Sequence, residues 1–159
     1  MSNAPQSTVE AALQAEGVSI PTPATPAGSY VPVVRSGNLL FVSGQLPMAD
    51  GGITTVGQCG ADVSIEDAQA AARLCAINIL AQVKAEVGSL DKVSRIVKLG
   101  GFVNSTPDFG DHPKVINGAS DFLLTIFGDK GRHARAAVGV AALPFRAAVE
   151  IEAVVEVAP

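Results

Sequence analysis

The chain has 159 residues, of which 48% are hydrophobic and 16% charged, with a formal net charge of −4. That length suits one domain with a sizeable core, and that apolar content excludes general disorder. A net-negative chain with 4% aromatics and no Trp lacks the cationic face and the stacking platforms that nucleic-acid binding requires. Such sparse surface charge points to an exterior partly covered by further copies of the chain. The longest uncharged run, residues 17–34, contains Pro21, Pro23, Pro26 and Pro32, so it does not read as a membrane span. The first residues have neither a basic start nor an apolar stretch, so no signal peptide is expected. Two cysteines, Cys59 and Cys75, make no disulfide framework and suit a reducing cytoplasm.

In chain order, Ser7 and Glu10 at capping-box spacing, with Val9, Ala12 and Leu13 on one face and Gly17 as a stop, predict a helix over 7–16. The proline-rich stretch 21–26 reads as a stiff extended link. Apolar and β-branched runs over 31–35 and 39–43, parted by Ser36-Gly37-Asn38, predict a hairpin. A Gly- and Thr-rich loop through residue 60 has room for one short strand. Ser64 caps the clearest helix, whose stripe of Ile65, Ala68, Ala72, Cys75, Ile79, Val83 and Val87 leaves Arg73, Gln82, Lys84 and Glu86 off it and ends at Gly88.

Residues 93–103 read as a strand apolar enough to be buried on both faces. A second helix over 113–127 turns Val115, Ala119, Phe122 and Ile126 inward and stops at Gly128. Strands over 136–142 and 147–157 close the chain, the last alternating Val149, Ile151, Ala153, Val155 and Val157 against Glu150, Glu152 and Glu156. The order ββ(β)αβαββ implies an α+β domain, one sheet with two long helices on one face.

Motifs for nucleotide binding, hydrolase elbows and zinc are missing, and His112 and His133 sit in separate predicted loops, where capping or surface roles suit them better than metal binding. Cys75 reads as a small core residue and Cys59 as a loop thiol. The conspicuous local feature is Lys130-Gly131-Arg132-His133-Ala134-Arg135 in an otherwise acidic protein. A charge run of this kind is usually a solvated turn. Arg135 is the member expected to turn inward, because it directly precedes an apolar strand, and its planar fork matches a carboxylate. Glu150 stands nearest the start of its strand, where loop-borne groups can gather, whereas Glu152 and Glu156 suit a solvent-facing sheet. Sequence spacing alone does not bring Arg135 and Glu150 together.

The segments Gly28-Ser-Tyr30, Phe41-Val-Ser-Gly-Gln-Leu-Pro47, Phe102-Val-Asn104, Asn117, the run from Ala134 through Leu143-Pro144, and Val149-Glu-Ile-Glu-Ala153 together resemble the YjgF/YER057c/UK114 family. This family is also called Rid, for reactive intermediate deaminases, and its older label is endoribonuclease L-PSP. The resemblance covers residues 28–157, so 1–27 is expected to be an added N-terminal helix and proline-rich linker packed on a family domain at 28–159. It implies a chorismate-mutase-like α+β fold, a mixed sheet with two long helices on one face, and a homotrimer with a pocket at each subunit boundary. It also implies hydrolysis of 2-imino acids to 2-keto acids and ammonia in the cytoplasm, with no metal or organic cofactor and no nucleic-acid or membrane partner. Carried over are Arg135 as the carboxylate clamp, Glu150 as the residue that orients water, and Tyr30 as a closing residue. Ser43, Gly44, Asn117 and Ala137 line the pocket. Family members typically carry Cys where this chain has Ala137, which removes any role that needs the thiol and keeps any played by its backbone. The alternatives are a non-catalytic trimer that holds small carboxylates and, less favoured by the charge, an endoribonuclease or translation inhibitor.

Overall fold

The structure is a computed structural model that describes residues 7–159. Helix α1 (Thr8–Ala15) begins where Ser7 Oγ accepts the Glu10 N–H at 3.1 Å. The Glu10 carboxylate faces Lys84 at 3.6 Å rather than closing a reciprocal box. Val9 and Leu13 of α1 are buried. The proline-rich connector is tied down where Gln82 donates to the Ala24 carbonyl at 3.0 Å.

The hairpin β1 (Val33–Ser36) and β2 (Leu39–Gln45) turns through Gly37 and Asn38, with Gly37 at φ 61°, a conformation that suits a residue without a Cβ. A small ribbon, β3 (Met48–Ala49) with β4 (Gly52–Ile53), occupies the Gly-rich loop. Helix α2 (Ile65–Val87) follows, capped by Ser64, and then β5 (Val93–Asn104), α3 (His112–Phe127), β6 (Ala134–Val140) and β7 (Val149–Val157). The large sheet has five strands in the order β1-β2-β7-β5-β6. Only β5 and β6 run parallel, with α3 as their crossover, so the sheet is mixed. Helix α2 packs against β2 and β7 and α3 against β5 and β6, so both cover the same face. Among the described residues no helix is long and apolar enough to cross a membrane.

Several expectations need correction. Strand β6 starts two residues early, so Arg135 lies within it, and much of β6 is exposed because it is an edge strand. Strand β5 is not buried on both faces: Arg95 and Lys98 are exposed on a sheet that carries helices on one side only. His112 is not in a loop but opens α3. Cys59 is fully buried, held between the Asn104 carbonyl and the Thr106 N–H by backbone hydrogen bonds of 2.9 and 3.0 Å. Helix α2 is buried around most of its girth. Gln82 and Asn78 lie under the N-terminal connector and the β2–β3 turn, and Asn78 donates to the Leu46 and Met48 carbonyls at 2.9 and 3.1 Å.

The two long helices approach closely at Gly118, where an added Cβ would run into the Gln69 backbone of α2. Helix propensity favours alanine there by about 1 kcal/mol, but no rotamer change can move a backbone carbonyl aside. Gly118→Ala is therefore expected to destabilise the fold by about 1–3 kcal/mol, read as a lowered midpoint in thermal or urea unfolding.

Candidate active site

The alternation of β7 decides where its acids go. Val149, Ile151, Ala153, Val155 and Val157 are buried under the helices, which turns Glu150, Glu152 and Glu156 to the opposite face. Glu150 stands in register with Phe102 of β5. On its other side β2 is irregular between Val42 and Gln45, and this brings Gly44 so close that a Cβ there would overlap the Glu150 carboxylate. Glu152 lies over Gly100 in the same way, 2.8 Å from where a Cβ would stand. Partial burial, and then the nearby Glu152 carboxylate, push the Glu150 carboxyl above the usual range.

Tyr30, Ser43, Gly44, Gln45 and Phe145 line a cavity of about 180 Å³, walled on one side by residues 24–27 of the connector. A shallower groove of about 340 Å³ continues over the free sheet face past Tyr30, Val34, Phe41, Lys98 and Glu152. Phe145 escaped the sequence reading. It is 70% exposed at the cavity rim and, with Arg146, sits at positive φ, 56° and 57°, where side chains are strained. The available signal was a large apolar residue directly after the Leu143-Pro144 turn.

Arg135 belongs to a second cluster. It is in register with Leu99, which is buried under the helices, so its side chain rises toward α3. Its Nη1 donates to Asn117 Oδ1 at 2.8 Å and Ser120 Oγ at 3.1 Å, and its Nη2 to the Pro113 carbonyl at 3.4 Å. The Nε–H and one Nη2–H have no partner among the described residues. These groups border an open groove of about 300 Å³ with His133, Arg132 and Asp121. Ala137, two residues along the same strand face, packs partly buried against the core.

The expected residues thus fall into two groups. Tyr30, Ser43 and Gly44 share one cavity with Glu150 against it, while Arg135, Asn117 and Ala137 gather under α3. Within one chain Arg135 and Glu150 lie on opposite faces of the sheet and do not meet. No cluster of three or more His, Cys, Asp or Glu able to hold a metal occurs among the described residues. His112 bonds Ser105 Oγ at 3.1 Å and His133 bonds Ser120 Oγ at 2.8 Å.

The YjgF/chorismate mutase-like endoribonuclease family model matches residues 10–156, reaching further toward the N-terminus than the motifs alone. Protein TCP17 of Trypanosoma cruzi is 53% identical over 149 residues, covering 93% of each chain. The 2-iminobutanoate/2-iminopropanoate deaminase of Dermatophagoides farinae is 33% identical over 138 residues, 87% of this chain and 93% of that protein. The crystal structure of Atu1372 from Agrobacterium tumefaciens, a protein of unknown function, superposes with a TM-score of 0.89 at 53% identity, covering 95% of this chain and 93% of that one.

The raised Glu150 carboxyl has a consequence for stability. The folded state holds this proton more tightly than the unfolded chain does, so its contribution to stability falls as pH rises through the carboxylate range. Glu150→Gln, which mimics the protonated form, is expected to raise the urea midpoint at pH 7, and the gain should vanish as pH falls below the ordinary carboxylate range. A gain that persists unchanged at acid pH would rule out the ionised carboxylate as its source.

Proposed function

The chain belongs to the YjgF/chorismate mutase-like family, and from that premise we propose that it hydrolyses 2-imino acids to 2-keto acids and ammonia without a cofactor. The observation that carries the reading is the Arg135 guanidinium. Its Nη1 is held by Asn117 and Ser120, while Nε–H and one Nη2–H stay unspent. A fixed cation with donors to spare on adjacent nitrogens suits a carboxylate, which can take two charge-assisted bonds in one plane. A relative 33% identical to this chain is named a deaminase of such acids.

In the proposed reaction Arg135 holds the substrate carboxylate and so fixes the C=N carbon beside it. Glu150 accepts a proton from water as the oxygen adds to the carbon of the protonated imine, and passes that proton to the nitrogen of the resulting carbinolamine. It takes up the remaining hydroxyl proton as the C–N bond breaks, a proton that the released ammonia then carries away. The C–O bond forms, the C–N bond breaks, and ammonia and the keto acid remain. A carboxyl displaced upward in pKa suits both halves of that transfer near neutral pH. Tyr30 closes the cavity and offers its hydroxyl for orientation, Ser43 and Gly44 form its floor, and Ala137 serves through its backbone where a thiol is usual.

Because Arg135 and Glu150 face opposite ways, the reading requires a homotrimer in which one copy supplies the Arg135 cluster and its neighbour the Glu150 cavity. Val34, Phe41 and Val138, each about half exposed on the face away from the helices, suit such packing. The net charge of −4 argues against the endoribonuclease role in the family's description.

The test generates 2-iminobutanoate in situ with an amino-acid oxidase and traps it as a semicarbazone. Wild type is expected to suppress the semicarbazone. Arg135→Ala should lose that suppression chiefly through KM, and Glu150→Gln should lower kcat by about 10²-fold. A wild-type protein that binds 2-oxobutanoate yet leaves the semicarbazone untouched would make the chain a carboxylate binder instead.

A further inference from the structure

The Arg135 cluster holds a polar chain that the carboxylate-clamp reading does not use. His133 Nδ1 lies 2.6 Å from the Gly131 carbonyl oxygen, which can only accept, so Nδ1 carries the hydrogen. In the neutral ring Nε2 is then a bare acceptor. Its neighbour at 2.8 Å is Ser120 Oγ, whose hydrogen must point to the imidazole. The serine lone pairs are left facing away from the ring, and Arg135 Nη1 donates to that oxygen at 3.1 Å. Every link runs one way: Arg135 to Ser120, Ser120 to His133, His133 to Gly131.

We infer that His133 and Ser120 are positioning residues that orient the Arg135 guanidinium for a carboxylate, and that the relay works only while the imidazole is neutral; the inference rests on the clamp reading above. Ser120 is 7% exposed on α3, so its hydroxyl has few alternatives to this chain. Asn117 fixes the second Nη1 hydrogen, and together they determine which edge of the guanidinium stays open. Protonation would put a hydrogen on Nε2. Ser120 would then have to accept from His133, and one hydroxyl would stand between two cations. The charged groups bordering the same groove are Asp121 from α3, Arg132, and Arg135 from β6. Arg132 is itself paired with Asp129 at 3.1 Å, which keeps its charge turned to solvent.

Calorimetric titration with 2-oxobutanoate, ionised at every pH used, tests the relay. In the wild type the Kd is expected to weaken once falling pH protonates the His133 ring. His133→Ala should bind about five- to tenfold more weakly at pH 8, the worth of one hydrogen bond, and lose that part of the pH dependence. Glu150 titrates in both proteins, so the difference between the two profiles reports His133. Ser120→Ala should match His133→Ala and Ser120→Thr, which keeps the hydroxyl, should recover most of the affinity. In imine hydrolysis the same variants should raise KM with kcat within about twofold.

Equal affinity and equal pH profiles in wild type and His133→Ala would overturn the relay and leave the clamp intact. If the wild type neither binds 2-oxobutanoate nor hydrolyses imines, the clamp reading falls. Nitrogen-15 NMR of the Arg135 guanidinium then decides the relay alone. Faster rotation about its C–N bonds in His133→Ala and Ser120→Ala upholds it, and unchanged rotation overturns it.

Discussion

The register between β5 and β7 is the constraint on which the site depends. Phe102 stands opposite Glu150 on one edge of β5, and Leu99 stands opposite Arg135 on the other. Because side chains alternate along a strand, an odd spacing between these two positions sends Glu150 and Arg135 to opposite faces. A slip of β7 by one residue would turn Glu150 toward the helices and drive the Val149–Val157 apolar set into solvent, while Arg135, paired through β6, would stay where it is. The buried alternation of β7 therefore fixes more than the core. It determines that one copy carries two separate polar clusters, one facing α3 and one facing away.

Glycine supplies the room in which the acids sit. Gly44 and Gly100 lie under Glu150 and Glu152, and at either position even a methyl group would meet a carboxylate. The two acids are thereby held low on the sheet and close to one another. Partial burial, and then that closeness, make Glu150 a reluctant anion. On the other face the guanidinium of Arg135 is pinned by neutral oxygens rather than a carboxylate. Among the described residues no carboxylate pairs with it.

Much of the fold was legible because its signals are local. Ser64 and Gly88 bracket α2, Gly128 ends α3, and the Val–Glu alternation of β7 names its buried face without reference to any other strand. The resemblance placed Arg135 and Glu150 among the site residues, but their opposite orientations were hidden, since pairing register is a property of two strands and not of either alone. The edge position of β6 escaped for the same reason: residues 136–142 read as an apolar strand, yet that strand has a neighbour on one side only. Gln82 looked like a surface residue because the connector that covers it comes from residues 58 positions earlier. Phe145 and Arg146 carry no pattern that announces a left-handed backbone; only the turn geometry does.

The two margins of the sheet are guarded unequally. Strand β1 is four residues long, and Arg35 closes its end with hydrogen bonds to the Gly37 and Ala158 carbonyls at 3.0 and 3.3 Å. Strand β6 is seven residues long, and after Arg135 it runs Ala-Ala-Val-Gly-Val with no proline and no charge to deter another strand. Its outer row of backbone N–H and C=O groups is a template for whatever extended chain comes near. A lone copy of this protein, freshly synthesised or diluted out of an assembly, would carry that template bare. For the trimer proposed above, productive folding would then be a race in which neighbouring copies must reach β6 before aggregation does, with an outcome that depends on protein concentration as much as on intrinsic stability.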